Sequence, residues 1–148
     1  TSLPLMVLVG HHCLMSGFYN LALAEYLKAY HILPSDPILN LTIGLTLLHQ
    51  TMSRRVNDRN LSVLQAFAFL FRYMSLRNRN QESHYNLARA FQQLGLMQFA
   101  VPYYEKVLIM DPPPGSDPES CDLKAEAAYN LSLIYRASGN THLAIQLL

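Results

Sequence analysis

The run Tyr85-Asn86-Leu87-Ala88-Arg89-Ala90-Phe91-Gln92-Gln93-Leu94-Gly95, with Ala100 beyond it, decides the fold, because the chain repeats its landmarks at Tyr129-Asn130-Leu131, Gly139 and Ala144. Every landmark moves by 44 residues. Within Tyr85–Leu94 the apolar positions 87, 88, 91 and 94 fall at i, i+1, i+4 and i+7, which is one face of a helix. Gly95 and Gly139 follow as helix stops, where a residue of positive φ ends the first helix and lets a second begin.

The pattern extends backwards. Ala66 lies 34 residues before Ala100, and Ala22 lies 44 before Ala66. The large residue after each alanine keeps step at Tyr26, Leu70, Tyr104 and Leu148. Gly10 and Gly44 are 34 apart, and Pro34 and Pro112 are 78 apart. A unit of 34 residues, lengthened twice by ten, accounts for all of these steps. Its length resembles that of the tetratricopeptide (TPR) repeat, a helix-turn-helix unit. The expected fold is all-α: a right-handed TPR-type α-solenoid of antiparallel helix pairs, with three full repeats and a partial fourth. The expected boundaries within this single array over residues 1–148 are about 3–36, 37–80 with an insertion at 52–61, 81–114, and 125–148 after a loop at 115–124.

The residue types suit that geometry. Gly10 and Gly44, with Ala88 and Ser132 in their places later, are small positions on first helices, where a neighbour approaches closely. Ala22, Ala66, Ala100 and Ala144 do the same from second helices, Tyr26 and Tyr104 fill the space beside them, and Leu87 and Leu131 anchor the apolar face. Pro34 and Pro112 stop second helices. Pro102 falls inside a second helix, so that helix is expected to start late, near Phe99, with the proline in its first turn. The run from Pro112 to Pro118 reads as non-helical loop, and Ser120 or Asp122 as a cap for the helix after it.

Composition narrows the function. Apolar residues make up 51% and charged residues 14%, against roughly 25% charged in an ordinary soluble domain, so the chain has a large core or covers surface with partners. A net charge of +1 creates no overall field for nucleic acid or membrane. No apolar run reaches a bilayer-spanning length of about 18 residues; no membrane association is expected. Cys13 and Cys121 are isolated, which suits a reducing compartment. The end on Gln146-Leu147-Leu148 without a helix stop reads as a piece of something longer, and the first residues carry no targeting signal.

Nothing points to catalysis. The six histidines (11, 12, 31, 49, 84 and 142) form no HExxH pair, and the glycines form no phosphate loop. His84 stands where this repeat usually places a large aromatic, so packing explains it. The chain is expected to be no enzyme and to use no cofactor, metal or small-molecule substrate. Its candidate partner contacts are of two kinds. Six arginines (54, 55, 59, 72, 77 and 79) against Asp58 give residues 54–79 a charge of +5, while residues 111–126 carry −4. The plain reading is solvated loops and helix ends; the sharper one is a basic patch built on Arg54, Arg55, Arg59, Arg77 and Arg79 that meets an acidic partner or a phosphate backbone. The aromatics Phe67, Phe69, Phe71 and Tyr73 beside it read as core.

The second kind lies on the first helices: Asn86, Arg89 and Asn130. Some TPR domains grip the C-terminal carboxylate of a chaperone with Lys, Asn and Arg at such places. Asn86 and Asn130 match the asparagine place, but Val7, Leu8, Ile38, Thr42 and Glu82 stand where cations would help, which argues against a peptide adaptor of the chaperone type.

Four strings carry a narrower resemblance: Asn40–Gln50 (NLTIGLTLLHQ), Phe67–Arg77 (FAFLFRYMSLR), Gln81–Leu96 (QESHYNLARAFQQLGL) and Ala128–Asn140 (AYNLSLIYRASGN). Together with the two irregular spacings, they resemble the C-terminal repeats of the TPR subunit of transcription factor IIIC (TFIIIC), the general initiation factor of RNA polymerase III. The resemblance implies a nuclear scaffold that helps assemble the promoter-recognition complex and recruit TFIIIB. It implies contacts with other TFIIIC subunits and TFIIIB, contact with DNA mainly through the complex, and no catalytic residues.

Overall fold

The structure, a computed structural model, describes residues 2–53 and 58–148. Helices in chain order are α1 (Leu3–Met15), α2 (Tyr19–Ile32), α3 (Pro37–Thr51), α4 (Arg59–Leu76), α5 (Gln81–Gln93), α6 (Met97–Leu108), α7 (Pro118–Cys121), α8 (Lys124–Ala137) and α9 (Thr141–Gln146). No strand occurs among the described residues. The helices fall into two compact units that divide between Asn78 and Arg79.

In the first unit α1 packs on α2, α2 on α3, and α3 on α4. Helix α3 lies between two neighbours and so buries more than one face: Leu39, Ile43, Leu47 and Leu48 are in the core, together with Asn40, Thr46 and Thr51. Each of these buried polar residues donates to nearby backbone, although Asn40 Oδ1 accepts no bond. Thr46 Oγ1 donates to Thr42 O at 2.7 Å, Thr51 Oγ1 to Leu48 O at 2.6 Å, and Asn40 Nδ2 to Asp36 O at 2.8 Å. Gly10 and Gly44 mark close approaches. A Cβ on Gly10 would sit 2.6 Å from the Tyr26 ring, and one on Gly44 would sit 2.7 Å from Leu70 Cγ.

In the second unit α5 packs on α6, α6 on α8, and α8 on α9. Tyr104 of α6 and Leu131 of α8 are fully buried, and Ala100 and Ala144 are buried with them. Burying each large apolar side chain contributes on the order of 1.5–3 kcal/mol. Between α6 and α8 the chain makes a detour through residues 109–123. Gln81, almost completely buried, holds it: Nε2 donates to Met110 O at 3.1 Å and to Asp122 Oδ1 at 2.9 Å, and Oε1 accepts from Leu123 N at 3.2 Å.

The sequence repeat reappears as one turn geometry used three times. At Gly17, Gly95 and Gly139 φ is +80°, +78° and +86°. Behind each, an amide reaches back five residues: Phe18 N to Cys13 O, Leu96 N to Phe91 O and Asn140 N to Tyr135 O, at 2.8, 2.9 and 2.7 Å. This is the Schellman arrangement, which satisfies carbonyls at the helix end.

Some expectations need correction. Helix α6 starts at Met97, so Pro102 is its sixth residue and lies beyond the first turn. The bond a residue there would donate goes to the carbonyl of Gln98; both Gln98 and Pro102 are solvent-exposed, so the carbonyl is open to solvent and the missing donor costs less than in a buried helix. Pro118 is also helical, as the first residue of the short α7, where a proline's missing N–H costs nothing. Asp117 caps that turn by accepting from Glu119 N; of the two residues expected to cap the helix after the loop, Asp122 accepts from Lys124 N at the start of α8, and Ser120 lies within α7.

Candidate partner-binding surface

The small and apolar residues singled out for packing are all buried: Gly10, Ala22, Tyr26, Gly44 and Ala66 in the first unit, and Leu87, Ala100, Tyr104, Leu131 and Ala144 in the second. Burial pushes the Tyr26 hydroxyl up to about 12, with the nearby Cys13 charge adding to it. Tyr104 is raised too, first by burial, then by Tyr85, with Arg89 opposing. Both phenols therefore stay neutral and serve as hydrogen-bond groups, Tyr26 to His11 Nδ1 and Tyr104 to Gln92 Oε1.

The described arginines are not one surface. Arg54 and Arg55 lie outside the described residues. Arg59 opens α4 and Arg77 follows its last residue; the helix has 18 residues, so the two are about 27 Å apart along its axis at 1.5 Å per residue. Arg59, Arg72 and Arg79 are exposed, whereas Arg77 is half-buried with its Nε covered and unbonded. The aromatics of the same helix divide as well. Phe67 and Tyr73 are core, Phe69 is half-buried with its ring 5.5 Å from Tyr30, and Phe71 is exposed.

Two of the three first-helix residues, Arg89 and Asn130, come together through a residue the sequence had marked only as a repeat landmark. The Arg89 guanidinium stands 6.0 Å from the centroid of the Tyr85 ring, one turn away on α5. From α8, Asn130 Nδ2 donates to Tyr85 Oη at 3.2 Å and to Glu126 O at 3.1 Å. Asn86 is half-buried next to Tyr85. Where α5 and α8 meet, Tyr85, Ala125, Glu126, Tyr129 and Asn130 line an open cleft of about 340 Å³. Tyr85, Glu126 and Tyr129 were missed as site residues, although the signal was available: 126, 129 and 130 are at i, i+3 and i+4, and 85 and 89 are at i, i+4, so each set shares a helix face.

A second cleft, of about 640 Å³, lies in the first unit among Phe18, Tyr19, Leu21 and Gln50, with Ser53 and Ser62 on either side of the segment outside the described residues. Here His49 stacks on Tyr19 at 5.7 Å. His84 packs beside Tyr103, its Nδ1 2.9 Å from Asn80 O. Among the described residues there is no group of three or more His, Cys, Asp or Glu placed to hold a metal ion, and no helix is long and apolar enough to cross a membrane.

Comparison with known proteins matches this geometry. The tetratricopeptide repeat family matches residues 83–118. Among solved structures, MamA superposes with a TM-score of 0.67 at 17% identity, covering 99% of this chain and 74% of that one. A human IFIT1 dimer with PPP-AAAA gives 0.65 at 16% identity, covering 99% and 47%. At that identity the likeness is one of fold. The helix pairs, the repeated turn and these matches make the chain a tetratricopeptide-repeat protein. More narrowly, it is homologous to the TPR subunit of TFIIIC, the family its sequence resembles. It is 44% identical over 146 residues to "General transcription factor 3C polypeptide 3" of Homo sapiens and 40% identical to "Transcription factor tau subunit sfc4" of Schizosaccharomyces pombe, covering 97% of the chain in each. It is 36% identical over 78% of its length to "Transcription factor tau 131 kDa subunit" of Saccharomyces cerevisiae. The chain spans 16% of the length of the first two relatives and 11% of the third.

Proposed function

We propose that this chain is a protein-binding segment of a nuclear TFIIIC scaffold, holding other subunits of the promoter-recognition complex and helping to recruit TFIIIB for transcription by RNA polymerase III. The observation that carries this reading is the 36–44% identity to TFIIIC subunits over most of the chain. The mechanism is binding. Repeats of this type present exposed first-helix faces to partners, and the Tyr85–Arg89–Asn130 cluster is such a face. DNA is reached mainly through the complex, because the separation of Arg59 from Arg77 leaves two small basic contacts in place of one phosphate-tracking stripe.

Competition tests the proposal. Excess chain, added to a nuclear extract transcribing an RNA polymerase III template, should reduce transcription in proportion to its concentration and leave an RNA polymerase II template unaffected. Equal output from both templates at saturating chain would defeat the reading.

A further inference from the structure

The chemistry left over in the cleft between α5 and α8 points to the kind of side chain it takes, on the premise that this face binds protein. Both hydrogens of Asn130 Nδ2 are used, one on Tyr85 Oη and one on Glu126 O. Asn130 Oδ1 receives no hydrogen bond from a described residue, and the Glu126 carboxylate has no ion pair among them. One ring face of Tyr85 is taken by Arg89, while Tyr129, 57% exposed, has no such neighbour among the described residues. What remains is two carboxylate oxygens, one amide oxygen and an open aromatic ring, against the two phenol hydrogens of Tyr85 and Tyr129. Such a set is short of donors and rich in acceptors. An ammonium or guanidinium carries only donors and is attracted to the face of an aromatic ring.

We infer that this cleft is a docking pocket for an arginine or lysine side chain projecting from a partner polypeptide. The side chain enters against Tyr129, its head group pairs with Glu126, and a remaining N–H donates to Asn130 Oδ1. The orientation is opposite to that of a carboxylate clamp: the chain supplies the acid and the partner the base. Arg89, one turn beyond Tyr85, opposes a second cation and so sets an upper limit on the affinity.

A titration followed by two-dimensional NMR of the isotope-labelled chain tests the inference. The probes are N-acetyl-arginine methylamide and N-acetyl-glutamate methylamide. The arginine probe should shift the Asn130 side-chain amide and the backbone amides of residues 125–130 saturably, and the glutamate probe should not. Glu126→Gln, which keeps the shape, should weaken the arginine probe at least threefold, and Arg89→Gln should tighten it. Equal or stronger shifts with the glutamate probe, or a Glu126→Gln titration identical to wild type, would overturn the assignment. The transcription competition is read separately, so either idea can fail while the other stands.

Discussion

Gln81 donates from its buried amide to the Asp122 carboxylate, 2.9 Å away across 41 residues of chain, and this contact fastens the detour before α8 to the start of α5. Removing it strands more than one partner at once. Gln81→Leu leaves the carbonyl of Met110 and the amide of Leu123 without their bonds to Gln81, while the Asp122 carboxylate keeps its bond from Lys124 N. A buried group left unbonded costs about 1–3 kcal/mol, so urea denaturation at neutral pH should show a loss of that order. A midpoint equal to wild type would mean that water replaces the amide.

The same contact predicts a pH dependence. The hydrogen bond from Gln81, followed by that from the Lys124 amide, holds the Asp122 carboxyl below the usual carboxylate value. A depressed value means the folded state favours the ionised form. The contribution is therefore complete above the unfolded value, about 4, and is lost as pH falls through the lower folded value. The stability difference between wild type and Asp122→Asn should shrink below about pH 4. A difference that stays constant from pH 7 to pH 3 would contradict this.

Close packing of the helix pairs makes a sharper prediction. Gly44→Ala places a methyl 2.7 Å from Leu70 Cγ and 3.1 Å from Ala66 O; the second is backbone and cannot swing away. Ala100→Leu overfills a completely buried position. Each should destabilise by on the order of 1–3 kcal/mol. An unchanged thermal melt for Ala100→Leu would mean that the repeat register is wrong.

Arg79 has φ of +53°, directly after Asn78 at +55°. Asparagine tolerates this region, but arginine is strained there by about 1 kcal/mol. Arg79→Gly should raise stability by up to about that amount, measured by denaturant midpoint, and Asn78→Gly should gain less. A loss of stability in Arg79→Gly would show that the side chain contributes more than the strain it carries.

The Arg54, Arg55 and Arg59 to Glu triple variant should weaken a partner contact while leaving the melt unchanged, since Arg59 is exposed. Because Arg77 stands about 27 Å from Arg59 along α4, its reversal should act independently. Coupling between the two in a double-mutant cycle would contradict the separation.

How far the sequence was legible depended on whether a feature repeats. The turn at Gly95 repeats at Gly139, so its spacing announced the helix pair, and the bond from Leu96 N to Phe91 O supplies the reason. The start of α6 was misjudged because helix propensity weighs the proline and not the open surface around Gln98 and Pro102. The arginines look contiguous on paper, but an 18-residue helix carries them apart. Tyr85 and Tyr104 both read as repeat tyrosines, yet one is buried and the other lines a cleft; spacing alone does not tell these apart. The Gln81 clamp joins residues 41 apart and has no local signature at all.

The most direct test of the central claim is a quantitative pull-down from nuclear extract with this chain as bait, read by mass spectrometry, beside a Tyr129→Ala, Asn130→Ala variant with an unchanged melt. The account predicts recovery of other TFIIIC subunits, or of TFIIIB, by wild type and a several-fold smaller recovery by the variant. Recovery of chaperones with no RNA polymerase III factor would contradict the scaffold, and equal recovery by both baits would contradict the assigned face.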